Sequence, residues 1–222
     1  MKVTLNCISQ PVVGSYDDHN NFNAMMPEEY IIYAARVSSD ERVNNDTAPK
    51  LLNYLIKHKH WSPFEMISIG IEIKTSRAIA QQILRHRSFS FQEFSQRYAD
   101  VTEMEPVQLR FQAVANRQSS TSNVNDDVLD AVVETHIKNC EYLYLHLLDQ
   151  GVAKECARMV LPLTTQTTIV MHGTLRSWIH FFEQRCSPHA QLEIQQIAFA
   201  AREEISKVCP WTATALEWDD KE

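Results

Sequence analysis

The period of the hydrophobic and polar positions changes near the middle of the 222-residue chain. In the first half, Met1 to Ile8 alternates around β-branched residues and predicts a strand. Phe64 to Ile73, with isoleucine at 67, 69, 71 and 73, predicts another. Pro27 to Arg36 predicts a helix, because proline suits its first turn and the acids that follow suit its electropositive end. Residues 47–58 repeat Leu51, Leu52, Leu55 and Ile56 at helical spacing, and Thr75 to Arg85 reads as a helix capped by Thr75 or Ser76. Residues 14–24 are polar enough for an exposed loop, 88–94 alternate Ser and Phe as an extended segment, and 107–113 form a short strand. In the second half, apolar residues recur at three- and four-residue steps over 125–149, 152–160, 174–185 and 189–208, which predicts helices, with Leu161-Pro162 as a break. The fold class is α+β, with a sheet from the N-terminal half and a large helical C-terminal half.

No linker divides the chain, so a single domain over 1–222 is expected. No apolar run approaches the roughly 20 residues of a spanning helix, and the N-terminus lacks a long signal-type apolar stretch, so the expected address is the cytoplasm, away from membranes. Net charge is -7, which argues against a general nucleic-acid-binding surface. Five cysteines, at 7, 140, 156, 186 and 209, make no C-x-x-C pair and read as reduced packing thiols. Glycine occurs only at 14, 70, 151 and 173, so neither a G-x-G-x-x-G turn nor a Walker loop exists. Any phosphate must therefore be gripped by side chains.

The segment that supplies such side chains is Arg85 to Tyr98, with three arginines, His86, Glu93 and two glutamines. Guanidinium groups bind phosphate and carboxylate through paired hydrogen bonds, so this is a candidate anion clamp. A surface ion-pair network is the alternative. Glu93 either accepts from a sugar hydroxyl or neutralises Arg97. His60, near Ser62 and Glu65, and His86 are candidates to touch a cofactor. The spacings of His58, His60 and His86 match no zinc signature, so no metal is expected. Arg158, Arg176 and Arg185 fall in apolar helices and need partners if buried. Cys186 beside Arg185 is either an activated nucleophile or, the reading favoured here, a packing residue.

Arg85-His86-Arg87, Ser90, Gln92-Glu93, Ser95 and Arg97-Tyr98 together resemble the signature R-H-R-x-x-S-x-N-E-x-S-x-R-Y of the flavin-dependent thymidylate synthases, the ThyX class. Gln92 is the one departure, in place of the usual Asn. His60-x-Ser62-Pro63-Phe64-Glu65, Ala35-Arg36-Val37-Ser38, Ala157-Arg158-x-Val160-Leu161-Pro162, Thr174-Leu175-Arg176-Ser177-Trp178-x-His180-Phe181, His189-Ala190-Gln191-x-Glu193-Ile194 and Cys209-Pro210-Trp211 also resemble that family, in its order. The resemblance implies a ThyX-like fold with a mainly antiparallel sheet. It further implies a homotetramer, with active sites where subunits meet, that reductively methylates dUMP to dTMP. FAD would be the cofactor, with NADPH and 5,10-methylenetetrahydrofolate as co-substrates and tetrahydrofolate as product.

Carried over by residue, the resemblance implies dUMP contacts from Gln82, Arg85, Glu93, Ser95, Gln96, Arg97, Arg158 and Arg185. It implies FAD contacts from Ser38, Ser62, Arg85, His86, Arg87, Glu93, Thr174, Arg176 and His180, with His60 in the same pocket. Thr174 and His180 stand where asparagines are common. Arg185 would be catalytic, stabilising the anion left when uracil N3 loses its proton. Two rival readings remain: a relative that hydroxymethylates or otherwise modifies a pyrimidine nucleotide, and a non-catalytic nucleotide- or RNA-binding module.

Overall fold

The computed structural model describes residues 1–38, 47–100 and 103–218. The first half contains β1 (Lys2–Ile8), β2 (Gly14–Tyr16), β3 (Phe22–Ala24), α1 (Pro27–Ala35), α2 (Ala48–Lys57), β4 (Ser68–Ser76), α3 (Arg77–Ile83), β5 (Ser90–Glu93) and β6 (Arg110–Gln112). The second contains β7 (Ser120–Asn123), α4 (Asp127–Asp149), α5 (Lys154–Ala157), β8 (Gln166–Thr174), α6 (Leu175–Arg185), α7 (Leu192–Val208) and α8 (Pro210–Ala215).

The isoleucine alternation of β4 puts Ile69, Ile71 and Ile73 in the core, each wholly buried. This strand is an inner member of a four-stranded sheet of order β1-β4-β8-β5, antiparallel at every step. The α+β expectation holds, with one addition: the other inner strand, β8, comes from the half read as helical. Smaller differences follow from local chemistry. Phe64 sits in a 3-10 turn, Ser62–Glu65, so β4 begins only at Ser68 and runs on to Ser76. The polar stretch 14–24 folds back as the hairpin β2–β3. Residues 152–160 divide into α5 and a 3-10 turn, Arg158–Val160. The strand expected over 107–113 shrinks to β6, paired with β7.

Helices α6 and α7 bring Trp178, Ile179, Phe181, Ile194 and Ile197 into one apolar cluster with the sheet isoleucines. Trp178 is wholly buried, and its indole Nε1 donates to the Ile69 carbonyl at 3.1 Å. Glu28 ties α1 to the far end of the chain: its carboxylate accepts from the Trp211 N–H at 2.8 Å and from the Thr212 N–H and hydroxyl at 2.6 Å. Burial nevertheless outweighs these three hydrogen bonds and raises the pKa of Glu28.

Gly173 matters for what lies above it. A Cβ at this position of β8 would stand 2.4 Å from the Phe89 ring, so only glycine lets that ring lie down on the strand. Phe89 also meets Trp178 edge-on at 4.8 Å. The turn between α3 and β5 is thereby pinned to the sheet. Among the described residues no helix is long and apolar enough to cross a membrane.

Candidate functional site

The turn pinned by Phe89 carries Arg85, His86 and Arg87. Ser177, near the start of α6, donates its hydroxyl to the Ser88 carbonyl at 3.2 Å, a second tie. His86 packs edge-on against Phe181 at 4.9 Å. Its Nε2 lies 2.9 Å from Nε of Arg185, in the last turn of α6, where a cation suits the helix dipole. Because the guanidinium can only donate, His86 accepts and carries its own proton on Nδ1.

Burial first, and the Arg185 charge second, push the pKa of His86 down to about 4. Burial also depresses that of Arg185. With Nε engaged, the terminal nitrogens of Arg185 have no protein partner among the described residues. A neutral imidazole thus aims a fixed cation outward. In the unfolded chain His86 has its ordinary value of 6.5, so the unfolded state binds more protons between pH 6.5 and 4. The contribution of His86 is therefore complete above pH 6.5 and declines as pH falls toward 4. An NMR titration is expected to show this imidazole neutral down to about pH 4; a midpoint near 6.5 would contradict the assignment.

Glu93, at the end of β5, accepts from Arg77 at 3.2 Å and from the Thr167 hydroxyl at 3.0 Å, both through Oε1. Its neutralising partner is Arg77, a residue of α3 that the sequence pattern did not mark, whereas Arg97 pairs with Glu155 at 3.4 Å. Ser95, Arg97 and Tyr98 face α5 across a groove of about 380 Å³. Gln96 is buried beside them with its amide nitrogen unpartnered. Arg158, half-buried, stands in the 3-10 turn after α5 without an ion-pair partner among the described residues.

A second group gathers around the start of α6. Thr174 caps this helix, its hydroxyl accepting from the Ser177 N–H at 3.2 Å. Arg176 pairs with Glu65, and Ser62 lies on the same 3-10 turn as Glu65. His180 contacts Glu183 at 3.0 Å and meets Trp61 edge-on at 5.5 Å. His60 is exposed and packs with Tyr54 and His58. Ser38 is exposed at the edge of the described residues, and Arg85 and Arg87 are exposed without ion-pair partners among them.

The structure thus joins His86 to Arg185, ties the Ser88 turn to α6 and, through Trp61 against His180 and Glu65 against Arg176, sets the segment after His60 beside the same helix, while Arg97 pairs with Glu155 of α5. The larger cavity, about 410 Å³, lies elsewhere, against α4. Gln82 contacts Gln191 at 2.7 Å, a partner already present in the H-A-Q-x-E string. Burial lifts the pKa of Cys186 to about 11, so it stays a thiol and packs, as expected. Among the described residues no group of three His, Cys, Asp or Glu side chains is placed to hold a metal ion.

Several guanidinium groups, one of them held by a neutral imidazole, thus stand on an antiparallel α+β scaffold. The model of a family described as "Thymidylate synthase complementing protein" matches residues 22–211. The chain is 51% identical over 197 residues to a probable flavin-dependent thymidylate synthase of Paramecium bursaria Chlorella virus 1, covering 86% of this chain and 91% of the relative. It is 47% identical over 197 residues to the flavin-dependent thymidylate synthase of a Synechocystis strain (87% and 91% covered). To that of a Thermus thermophilus strain it is 37% identical over 198 residues (87% and 73%). The chain belongs to the flavin-dependent thymidylate synthase family.

Proposed function

We propose that this protein reductively methylates dUMP to dTMP in the cytoplasm, using 5,10-methylenetetrahydrofolate and NADPH through FAD and releasing tetrahydrofolate. The observation that carries this reading is Arg185, held through Nε by neutral His86 with its terminal nitrogens unpartnered among the described residues. Placed against the uracil edge, that cation stabilises the N3 anion and makes carbon 5 of the base a better nucleophile. Arg97, Arg158 and Ser95 offer donors for the nucleotide phosphate. Glu93, anchored through Oε1, keeps Oε2 for a sugar hydroxyl.

The residues present also fit FAD. Arg85 and Arg87 stand on one turn without ion-pair partners among the described residues, suited to a diphosphate where glycine-rich amides are missing; Thr174, Arg176 and His180 belong to that turn's partner helix and its cap, and Ser62 lies on the 3-10 turn beside it. When bound, flavin supplies the hydride that ends in the new methyl group. The protein binds, orients and polarises.

A homotetramer with shared sites is part of the same reading. One feature supports it: the apolar face that α4 exposes at Val128, Val132, Tyr142 and Leu145. The test is direct. The purified protein is expected to be yellow, with an oxidised-flavin spectrum, and its reduced flavin to be reoxidised by methylenetetrahydrofolate only when dUMP is present. Colourless protein that refuses FAD would sink the reading.

A further inference from the structure

Outside the contacts already assigned, a chain of polar side chains runs from α3 to the β6–β7 hairpin. Gln82 donates through Nε2 to Oε1 of Gln191 at 2.7 Å. Gln191 in turn donates through its own Nε2 to Oε2 of Glu193 at 2.9 Å. The other oxygen of Glu193 accepts from Arg110 at 2.6 Å, and this pair is mostly buried, with side chains 25% and 10% exposed. Ser120 and Gln108 hold the remaining guanidinium nitrogens of Arg110 at 2.9 and 3.1 Å. Burial alone would raise the Glu193 pKa, but the hydrogen bonds from Arg110 and Gln191 prevail and lower it.

The chain has a direction. A carboxylate only accepts, so Gln191 must turn its NH₂ toward Glu193 and its carbonyl toward Gln82. Gln82 must then meet that carbonyl with its own NH₂, which leaves its carbonyl oxygen without a protein partner among the described residues. An isolated glutamine amide flips between donor and acceptor at little cost; this one is held.

We propose that Glu193, through Gln191, is a positioning residue that fixes the amide of Gln82 so that an acceptor, not a donor, faces the nucleotide. The inference rests on the dUMP reading above. The groups on dUMP that match an acceptor are the uracil N3–H and the sugar 3′-hydroxyl.

The experiment is steady-state kinetics on the flavin-loaded enzyme with Glu193→Gln and Gln191→Leu. Glu193→Gln restores freedom to flip but also breaks the pair with Arg110, whereas Gln191→Leu leaves that pair intact and alters an exposed residue. Both are expected to raise KM for dUMP about tenfold, the worth of one well-aligned hydrogen bond, with kcat within about twofold and an unchanged flavin spectrum. Adding Gln191→Leu to Gln82→Leu is expected to cost nothing more, because both act through one amide. Binding of dCMP, which lacks N3–H, and of the 3′-deoxy analogue of dUMP then identifies the donor: the analogue without it binds wild type and Gln191→Leu equally. Wild-type KM in both variants, full additivity in the double variant, or continued discrimination by both analogues overturns the proposal while leaving the enzyme reading intact. Failure of wild type to bind dUMP overturns both.

Discussion

Arg185→Ala abolishes turnover while the flavin stays bound. The expected loss is at least 10²–10³-fold, the scale for removing one preorganised group that faces developing charge. The geometry gives the reason. Nε of Arg185 is spent on His86 at 2.9 Å, so the side chain is oriented before any ligand arrives and its terminal nitrogens need no reorganisation. Lysine at this position has one charged nitrogen and cannot both hold His86 and reach the base, so Arg185→Lys is also expected to fall far below wild type. The flavin absorbance of the purified variant, compared with its dUMP-dependent turnover, separates the two effects. Turnover like wild type would remove Arg185 from the chemistry.

Trp178→Ala is the largest expected loss of stability. The indole is wholly buried, donates to the Ile69 carbonyl at 3.1 Å, and packs against Phe89, Phe181 and Phe182 with ring centroids 4.8 to 5.8 Å away. Truncation removes that contact surface, leaves a cavity beside β4 and orphans the indole's acceptor, for about 3–5 kcal/mol. In a chain of this length that lowers Tm by roughly 10 °C. Because Trp178 also backs Phe89, the Arg85–Ser88 turn loosens, and less flavin is expected to be retained. Trp178→Phe keeps most of the apolar burial without the donor and should recover most of the loss. Calorimetry on the three proteins decides it; an unchanged Tm for the alanine variant would mean that the core closes over the gap.

Much of this was legible in the sequence where one chemical signal served one element. The isoleucines of β4 alternate strictly, α1 has proline in its first turn, and the signature arginines stand in one short segment. Strand β8 was harder. Its buried positions, Thr167, Ile169, Met171 and Gly173, do alternate, but threonine and glycine mask the pattern in a hydropathy reading. The β-branched run Thr167-Thr168-Ile169-Val170 was the available cue. The partners of site residues were the least legible part. Glu93 finds Arg77 sixteen positions before it and Thr167 seventy-four after it, and no local spacing rule predicts either. The H-A-Q-x-E string was visible, but its tie to Gln82 exists only once α3 and α7 pack together.

The position of β8 between β4 and β5 has a consequence for biosynthesis. Among the described residues, strand β5 is bonded to the sheet only through β8, with Phe91 opposite Met171 and Glu93 opposite Ile169. During translation the signature segment therefore emerges long before the strand that gives it a place, and it waits as an unpaired edge. Closing so long a loop is slow compared with local helix formation. A nascent chain stalled before Gln166 holds Arg85, Arg87 and Arg97 but not the strand against which their segment is arranged, so that segment takes its place only after β8 has emerged.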